Sequence, residues 1–145
     1  MKKIIAFSLC LVVLLACNKD DDDTSICSGA SCSYTLNTSA GEVPGSVPSA
    51  LQGEHNLSAS YASANSPFSD GTTGKFTLDG NVLTVEIENE ACITLYNPYQ
   101  SSFAEVSFVD DCRDNLIYSV SESSQGGLNE INVASLSGNF YCQFK

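Results

Sequence analysis

The sequence has no tryptophan, one histidine, and 6 lysine and arginine residues against 17 aspartate and glutamate residues. Because this excess of negative charge repels phosphate groups, nucleic acid is not an expected partner. No apolar repeat of helical period extends over eleven residues or more, which argues against a helical domain. Beyond residue 16 there is no long hydrophobic run, so no second membrane-spanning segment is expected.

The first 16 residues form the long apolar segment of this chain. Lys2 and Lys3 give it a positive start, and the apolar stretch at residues 4–16 is short for a bilayer span, which indicates a signal peptide. Its end, LLAC at residues 14–17, resembles the lipobox of bacterial lipoproteins. The resemblance implies cleavage before Cys17 and about three acyl chains on that residue, enough for a permanent membrane anchor.

A short charged run follows the expected lipidation site. Lys19 and the four aspartates Asp20–Asp23 resemble the surface-export signal of lipoproteins in one lineage of Gram-negative bacteria. The resemblance implies display on the outer face of the outer membrane. The alternative is a solvated spacer that its own charges keep extended. Asn18 replaces the aspartate that implies inner-membrane retention in the better-known sorting scheme, so the outer membrane is expected in either case.

Composition divides the chain into three parts. The signal peptide at 1–16 is followed by a lipidated flexible tether and arm at 17–50, which is rich in serine, glycine and threonine and is interrupted by Pro44 and Pro48. A single β-rich domain is expected at 51–145, a length that suits one hydrophobic core.

Short runs of alternating polar and apolar residues predict about eight β-strands in that domain. The clearest pair is a hairpin in which residues 75–78 and 82–88 flank Asp79-Gly80-Asn81, because Asp-Gly readily adopts the positive φ of a tight turn. The other predicted strands are 55–61, 91–96, 103–109, 116–121, 128–133 and 140–144.

These strands are joined by turns with no helices between them, so the predicted fold class is all-β with antiparallel pairing. A meander, a sandwich and a small barrel all remain open. An eight-stranded barrel would resemble the lipocalins in architecture, although the chain lacks their Gly-x-Trp signature. That resemblance implies a small apolar molecule carried in the barrel interior.

Five cysteines remain in an oxidising compartment once the signal peptide and the lipid have taken two of the seven. At most two bridges can form inside the chain. The preferred pairing joins Cys92 with Cys112, which lie at the ends of neighbouring strands. It also closes a small local loop between Cys27 and Cys32. Pairing of Cys142 with either member of that local loop is the alternative.

An acidic turn between two predicted strands is the candidate metal site. Asp110, Asp111 and Asp114 offer hard oxygen ligands that could hold Ca²⁺. Arg113 in the same run favours the alternative of a turn that is neutralised internally. No other cofactor is expected.

Catalysis is not expected from this sequence. Glu86, Glu88 and Glu90 are spaced about 7 Å apart on one strand face, as in a carboxylate pair of an inverting glycosidase, but they alternate with core residues and are better explained as the solvated face. His55, the single histidine, lies on the apolar side of its strand, and no Gly-x-Ser-x-Gly nucleophile motif occurs.

The best candidate binding site is the loop from residue 96 to residue 100. Tyr96 and Tyr99 flank the amide groups of Asn97 and Gln100, and such a surface can stack on a sugar ring while it bonds the hydroxyls. The alternative is that both tyrosines only cover an edge of the core. The sequence therefore predicts a non-catalytic domain that recognises a glycan or a protein. A barrel that carries a small apolar molecule, or a passive surface component, are the alternatives.

Overall fold

The chain forms one curled β-sheet. The computed structural model describes residues 27–145, which contain no α-helix and fold into a ten-stranded half-barrel, so the all-β prediction is confirmed. The strands are β1 (Ala30–Ser33), β2 (Gly53–Ala62), β3 (Thr73–Asp79), β4 (Val82–Ile87), β5 (Ile93–Tyr96), β6 (Tyr99–Ser102), β7 (Glu105–Asp110), β8 (Leu116–Glu122), β9 (Leu128–Ser135) and β10 (Tyr141–Phe144). Within residues 27–145, no helix has the length and hydrophobicity needed to cross a membrane.

The sheet order is β1-β5-β4-β3-β2-β10-β9-β8-β7-β6. All neighbouring strands are antiparallel, as expected, except that β1 runs parallel to β5. Only Asn97 and Pro98 separate β5 from β6 in the chain. One bent segment therefore connects the two ends of the curled sheet.

The predicted hairpin forms between β3 and β4. Phe76 pairs with Val85 and Leu78 with Leu83, and all four side chains are buried. Gly80 adopts a φ of 58°, the left-handed conformation that the Asp-Gly pair predicted. Alternation on the two strands thus places one complete face of the hairpin in the core.

Two strands were missed because their sequences lack this alternation. β1 consists of small and polar residues, and β6 begins inside the stretch that was interpreted as the binding loop. Both are short strands of four residues near the ends of the sheet order. Their positions depend on contacts with segments far away in the chain rather than on a local pattern.

Residues 27–50, which composition assigned to a loose arm, pack against the sheet. Besides β1, this segment covers the free edge of β6, where Gln100 N donates to Val43 O at 3.0 Å and Gly45 N donates to Pro98 O at 2.8 Å. Val47 is buried in the core. The folded unit therefore includes residues before 51, and its order there comes from long-range pairing that serine and glycine content does not reveal.

The disulfides differ from the predicted pairs. Cys27 is bonded to Cys92 and Cys32 to Cys112, with Cα atoms 5.7 and 5.9 Å apart, and Cys142 is a buried free thiol. Neither the Cys92–Cys112 and Cys27–Cys32 pairs nor the alternative through Cys142 is formed. The physical reason is the parallel alignment of β1 with β5, which carries the two N-terminal cysteines alongside segments 65 and 80 residues away.

Successive turns of an antiparallel meander lie at alternating ends, so the half-barrel has two distinct ends. We call one the mouth end, formed by four connections at residues 63–72, 88–92, 111–115 and 136–140. We call the other the capped end, formed by turns at residues 80–81, 103–104 and 123–127. Segment 46–52 covers the capped end: Leu51 is buried there, and Val47 N donates to Asn81 Oδ1 at 3.0 Å.

Candidate functional site

A cavity of about 300 Å³ opens at the mouth end, and we call it the mouth cavity. Its floor is formed by inward-facing side chains of β4 and β8, namely Val85, Ile87, Leu116 and Tyr118. Phe68 and Phe140, from two of the connections, form its walls. Its rim carries charged residues from the other two connections. The cavity is thus apolar inside and charged at its opening.

Strand periodicity explains the floor. On β4 and β8 every second residue is buried, which turns the apolar side chains into the half-barrel. The walls have a different origin, because Phe68 and Phe140 lie outside the strands and reach the cavity from connections that are 72 residues apart. No local pattern marks these two residues as neighbours.

Tyr118 is the one phenol on the cavity floor. Its side chain is only 1% exposed, and its hydroxyl has no hydrogen-bond partner among residues 27–145. The hydroxyl oxygen is not fully buried, so solvent or a ligand in the cavity can reach it. Burial raises the pKa of Tyr118 well above its usual value of 10.0, so the group stays protonated at neutral pH. A buried hydroxyl without a partner can bond a ligand.

Arg113 ties two connections together across the rim. Its Nη1 donates to Ala91 O at 2.6 Å, and its Nε forms an ion pair with Asp114 and lies 3.5 Å from Asp110 Oδ2. Asp110 is fully buried, and its Oδ1 accepts from Arg113 N at 2.9 Å. Burial raises the pKa of Asp110, while the contacts with Arg113 act in the opposite direction. The guanidinium is therefore already engaged by protein groups.

The predicted calcium ligands do not converge. Asp110 points into the protein toward Cys32, whose Sγ lies 3.3 Å from its Oδ1. Asp114 pairs with Arg113, and Asp111 is exposed. Among residues 27–145, the potential metal ligands that come within 4.8 Å of one another are those of Cys32, Asp110 and Cys112. Because the two sulfurs are joined in a disulfide, this group does not offer thiolate ligands.

Two residues of the predicted binding loop stabilise the bend between β5 and β6. Tyr96 ends β5 and is partly exposed. Asn97 adopts a φ of 57°, and its Nδ2 donates to Ser33 Oγ at 2.9 Å and to Tyr34 O at 3.2 Å. Asparagine tolerates this left-handed conformation better than most residues. One amide group of the predicted site therefore holds β1 against the bend.

The other two residues of that loop begin β6. Tyr99 packs against Tyr34 with ring centroids 6.1 Å apart, and Gln100 Nε2 donates to Glu105 O at 3.0 Å. The aromatic partner Tyr34 lies in the segment that composition assigned to the arm. It was missed for that reason, although its hydroxyl donates to Glu42 at 3.0 Å and fixes the ring.

An open groove of about 530 Å³ lies beside this tyrosine pair, and we call it the Tyr34 groove. It is lined by Tyr34, Thr35, Leu36, Pro44, Gly45, Asn81, Asn97 and Pro98. Asn97 Oδ1 and Asn81 Nδ2 make no hydrogen bond with any residue that the structure describes. Of the four predicted binding residues, only Asn97 lines this groove.

The three glutamates and the histidine have separate positions. Glu86 pairs with Lys75 at 2.8 Å, and Glu88 accepts from Thr73 Oγ1 at 3.2 Å. Glu90 lies instead on the rim of the mouth cavity. His55 Nε2 is 2.9 Å from Leu51 O, which places the imidazole at the capped end.

Comparison with protein-family models, with curated proteins and with solved structures found no match. The mouth cavity and the Tyr34 groove are therefore interpreted from their geometry. Sequence reasoning placed Tyr118 in a strand without assigning it a role. The available signal was its chemistry, because a phenol among the inward apolar positions of a strand needs a partner for its hydroxyl.

Proposed function

We propose that this protein is a lipid-anchored outer-membrane protein, displayed on the cell surface, whose half-barrel binds a small molecule at the mouth end without transforming it. The LLAC motif at 14–17 and the run Asp20–Asp23 support the anchor and the display, and both lie outside the described residues 27–145. The mouth cavity supports the binding role. Barrel mouths are frequent sites for small ligands.

The observation that carries this proposal is the Tyr118 hydroxyl, which lies on the floor of an apolar cavity and has no partner among the described residues 27–145. Ligand pockets combine largely apolar walls with a few polar groups that orient the ligand, and they have volumes of roughly 300–1,000 Å³. At about 300 Å³ the mouth cavity lies at the small end of that range. The proposed ligand is therefore small and mostly apolar, as in the carrier hypothesis.

Native mass spectrometry of the lipidated protein, released from the outer membrane in a mild detergent, tests this proposal. A bound molecule that dissociates on denaturation is the expected result. Tyr118→Phe should weaken its binding about 5- to 10-fold, the size of one net hydrogen bond. Folding stability should change little, because the hydroxyl bonds no residue in the part of the chain that the structure describes. Tyr61→Phe, which changes an exposed tyrosine, is the matched control. Equal occupancy in Tyr118→Phe and wild type would contradict this role of the hydroxyl.

Cell fractionation tests the anchor separately. Cys17→Ser should release the protein from membranes, because no acyl chains can then be attached. Replacement of Asp20–Asp23 by serine should keep the protein in the membrane fraction and abolish its labelling by reagents that cannot enter the cell. Persistent membrane association of Cys17→Ser would overturn the anchor.

A second candidate function is recognition of a glycan in the Tyr34 groove. It is favoured by one observation: beside the ring of Tyr34, Asn81 Nδ2 and Asn97 Oδ1 make no hydrogen bond within residues 27–145. Tyr34→Ala and Tyr99→Ala should then abolish retention on a saccharide column, because Tyr34 lines the groove and Tyr99 packs against its ring. Tyr96→Ala, at a tyrosine with neither position, should not. Unchanged retention of the first two variants would exclude this groove as a glycan site.

A further inference from the structure

We infer that the mouth cavity takes a small organic cation, an amine carried on an aromatic or alkyl body. This inference rests on the proposed function and specifies its ligand class. It combines three features of the mouth end: the distribution of charge, the Glu90 carboxylate on the rim, and the aromatic lining with the Tyr118 hydroxyl.

The mouth end is strongly acidic. Its four connections carry five carboxylates and one cationic side chain, Arg113. The carboxylates belong to Asp70, Glu88, Glu90, Asp111 and Asp114. The buried Asp110 ends β7, next to the connection at 111–115, and adds a further carboxylate at this end. A cleft lined by charge of one sign attracts small ions of the opposite sign and raises their local concentration. An anionic ligand would have to approach against this field.

Arg113 does not reverse this preference. Its guanidinium contacts Asp110, Asp114 and Ala91 O, so its charge is matched within the rim. Recruiting it for an anionic ligand would break contacts that hold two connections together. Leaving the buried Asp110 without its cation would also be costly, because an unpaired buried charge is strongly destabilising.

Glu90 provides the free anion. Its carboxylate lies on the rim of the cavity and makes no hydrogen bond or ion pair with any residue in the range 27–145. This distinguishes it from Glu86 and Glu88, which are held by Lys75 and Thr73. An ammonium group at the opening can pair with Glu90 while the rest of the ligand enters the apolar interior.

The interior suits a cation of this kind. Phe68, Phe140 and Tyr118 contribute aromatic rings to the lining, and ring faces attract ammonium groups as well as apolar ligand bodies. The Tyr118 hydroxyl can bond a polar group on the part of the ligand that enters the interior. Nearly complete burial of this phenol makes the bond strong, since little water competes for it.

Calorimetric titration with three probes of the same phenylethyl body tests the inference. The probes are 2-phenylethylamine, 2-phenylethanol and 3-phenylpropanoate, which are cationic, neutral and anionic at pH 7. The full lipidated protein in a non-ionic detergent is the sample. We expect the amine to bind at least 10-fold more tightly than the alcohol, and the carboxylate to bind more weakly than both. Raising the salt concentration should weaken the binding of the amine and not that of the other two probes.

Two variants separate charge from general contact. Glu90→Gln should reduce amine affinity about 5-fold or more and leave alcohol affinity unchanged. Glu88→Gln is the matched control, because it removes the same charge from the same connection but does not line the cavity. Its effect on the amine should be less than 2-fold.

The outcomes distinguish this inference from the proposed function. Binding of the alcohol as tightly as the amine would overturn the ligand class and leave small-molecule binding in place. Binding of none of the three probes at millimolar concentration would also overturn the ligand class. The proposed function itself falls if native mass spectrometry finds no bound molecule in the protein from its own membrane.

Discussion

The connections at the two ends of the half-barrel are held in place in different ways. At the capped end, short turns and segment 46–52 close the interior, and a void of about 70 Å³ lies beside that segment. At the mouth end, longer connections surround a cavity of about 300 Å³. Both disulfides bond into these connections, through Cys92 and Cys112. The capped end has no covalent link among the residues that the structure describes.

This difference teaches how a small domain can keep an open site. Well-packed interiors leave few voids larger than a water molecule, and residues such as Leu51 satisfy that rule at the capped end. A binding cavity removes packing contacts from the connections around it. The disulfides and the Arg113 contacts supply order there without filling the space. Covalent links therefore replace core packing at the end where the cavity lies.

The largest effect is expected when one of the disulfides at the mouth end is removed. Replacing Cys32 and Cys112 together by serine should lower the free energy of unfolding by about 4 kcal/mol, since the bridge closes a loop of 80 residues. It should also abolish binding in the mouth cavity. Urea denaturation and the calorimetric titration measure the two effects. A loss below about 1 kcal/mol would show that the connections hold their positions without this bridge.

The capped end should respond to lost packing instead. Leu51→Ala removes a buried side chain and should cost about 3 kcal/mol in urea denaturation. Ligand affinity at the mouth end should stay within 2-fold of wild type. If Leu51→Ala abolished binding, the two ends would be coupled and the division between them would be incorrect.

The turns of the capped end depend on backbone conformation. Gly80 has a φ of 58° and open space around its Cα, so the cost of Gly80→Ala is conformational, about 1 kcal/mol. Gly80→Asn is the matched variant, and it should cost less because asparagine tolerates this conformation. Equal losses for the two variants would point to a steric cause. Thermal unfolding of the two variants and of wild type measures these losses of stability.

The smallest expected effect is on the slope of stability with pH. Burial raises the pKa of Asp110 above 3.8, so the native state binds more protons at this group than the unfolded chain does. The domain therefore gains stability from Asp110 as the pH falls through the raised pKa toward 3.8. Hydrogen bonds from Asn132 and Lys145 lower the pKa of Glu130 below 4.5, so its contribution is lost as the pH falls.

Asp110→Asn should therefore remove a gain in folding stability on acidification. Glu130→Gln should remove a loss of folding stability on acidification. Urea denaturation at several pH values between neutrality and about pH 3 compares the two variants with wild type. If the slope of folding stability against pH changed in the same direction in both variants, the two carboxylates would not have opposite environments.

Much of the sheet could be predicted because alternation is a local signal. The hairpin around Gly80 forms as predicted, since apolar residues at every second position require one face to be buried. β1 and β6 lack that signal. The disulfides also follow from β1, because only its parallel position beside β5 determines which sulfurs meet.

The candidate site was less predictable than the sheet for a related reason. Tyr96, Asn97, Tyr99 and Gln100 are adjacent in sequence, yet the structure uses them to bend and stabilise the chain between β5 and β6. Phe68, Glu90 and Tyr118 are far apart in sequence and meet at the mouth cavity. Proximity in sequence indicates a loop, whereas a cavity depends on the curvature of the whole sheet.

The bond between Cys27 and Cys92 also fixes where the chain leaves the domain, because Cys92 belongs to a mouth connection. With the anchor that we propose at Cys17, the ten residues to Cys27 can span at most about 35 Å. The opening of the cavity is then confined to a thin layer of solvent at the membrane surface. The concentration that governs its occupancy is then the ligand concentration in that layer rather than in the bulk solvent.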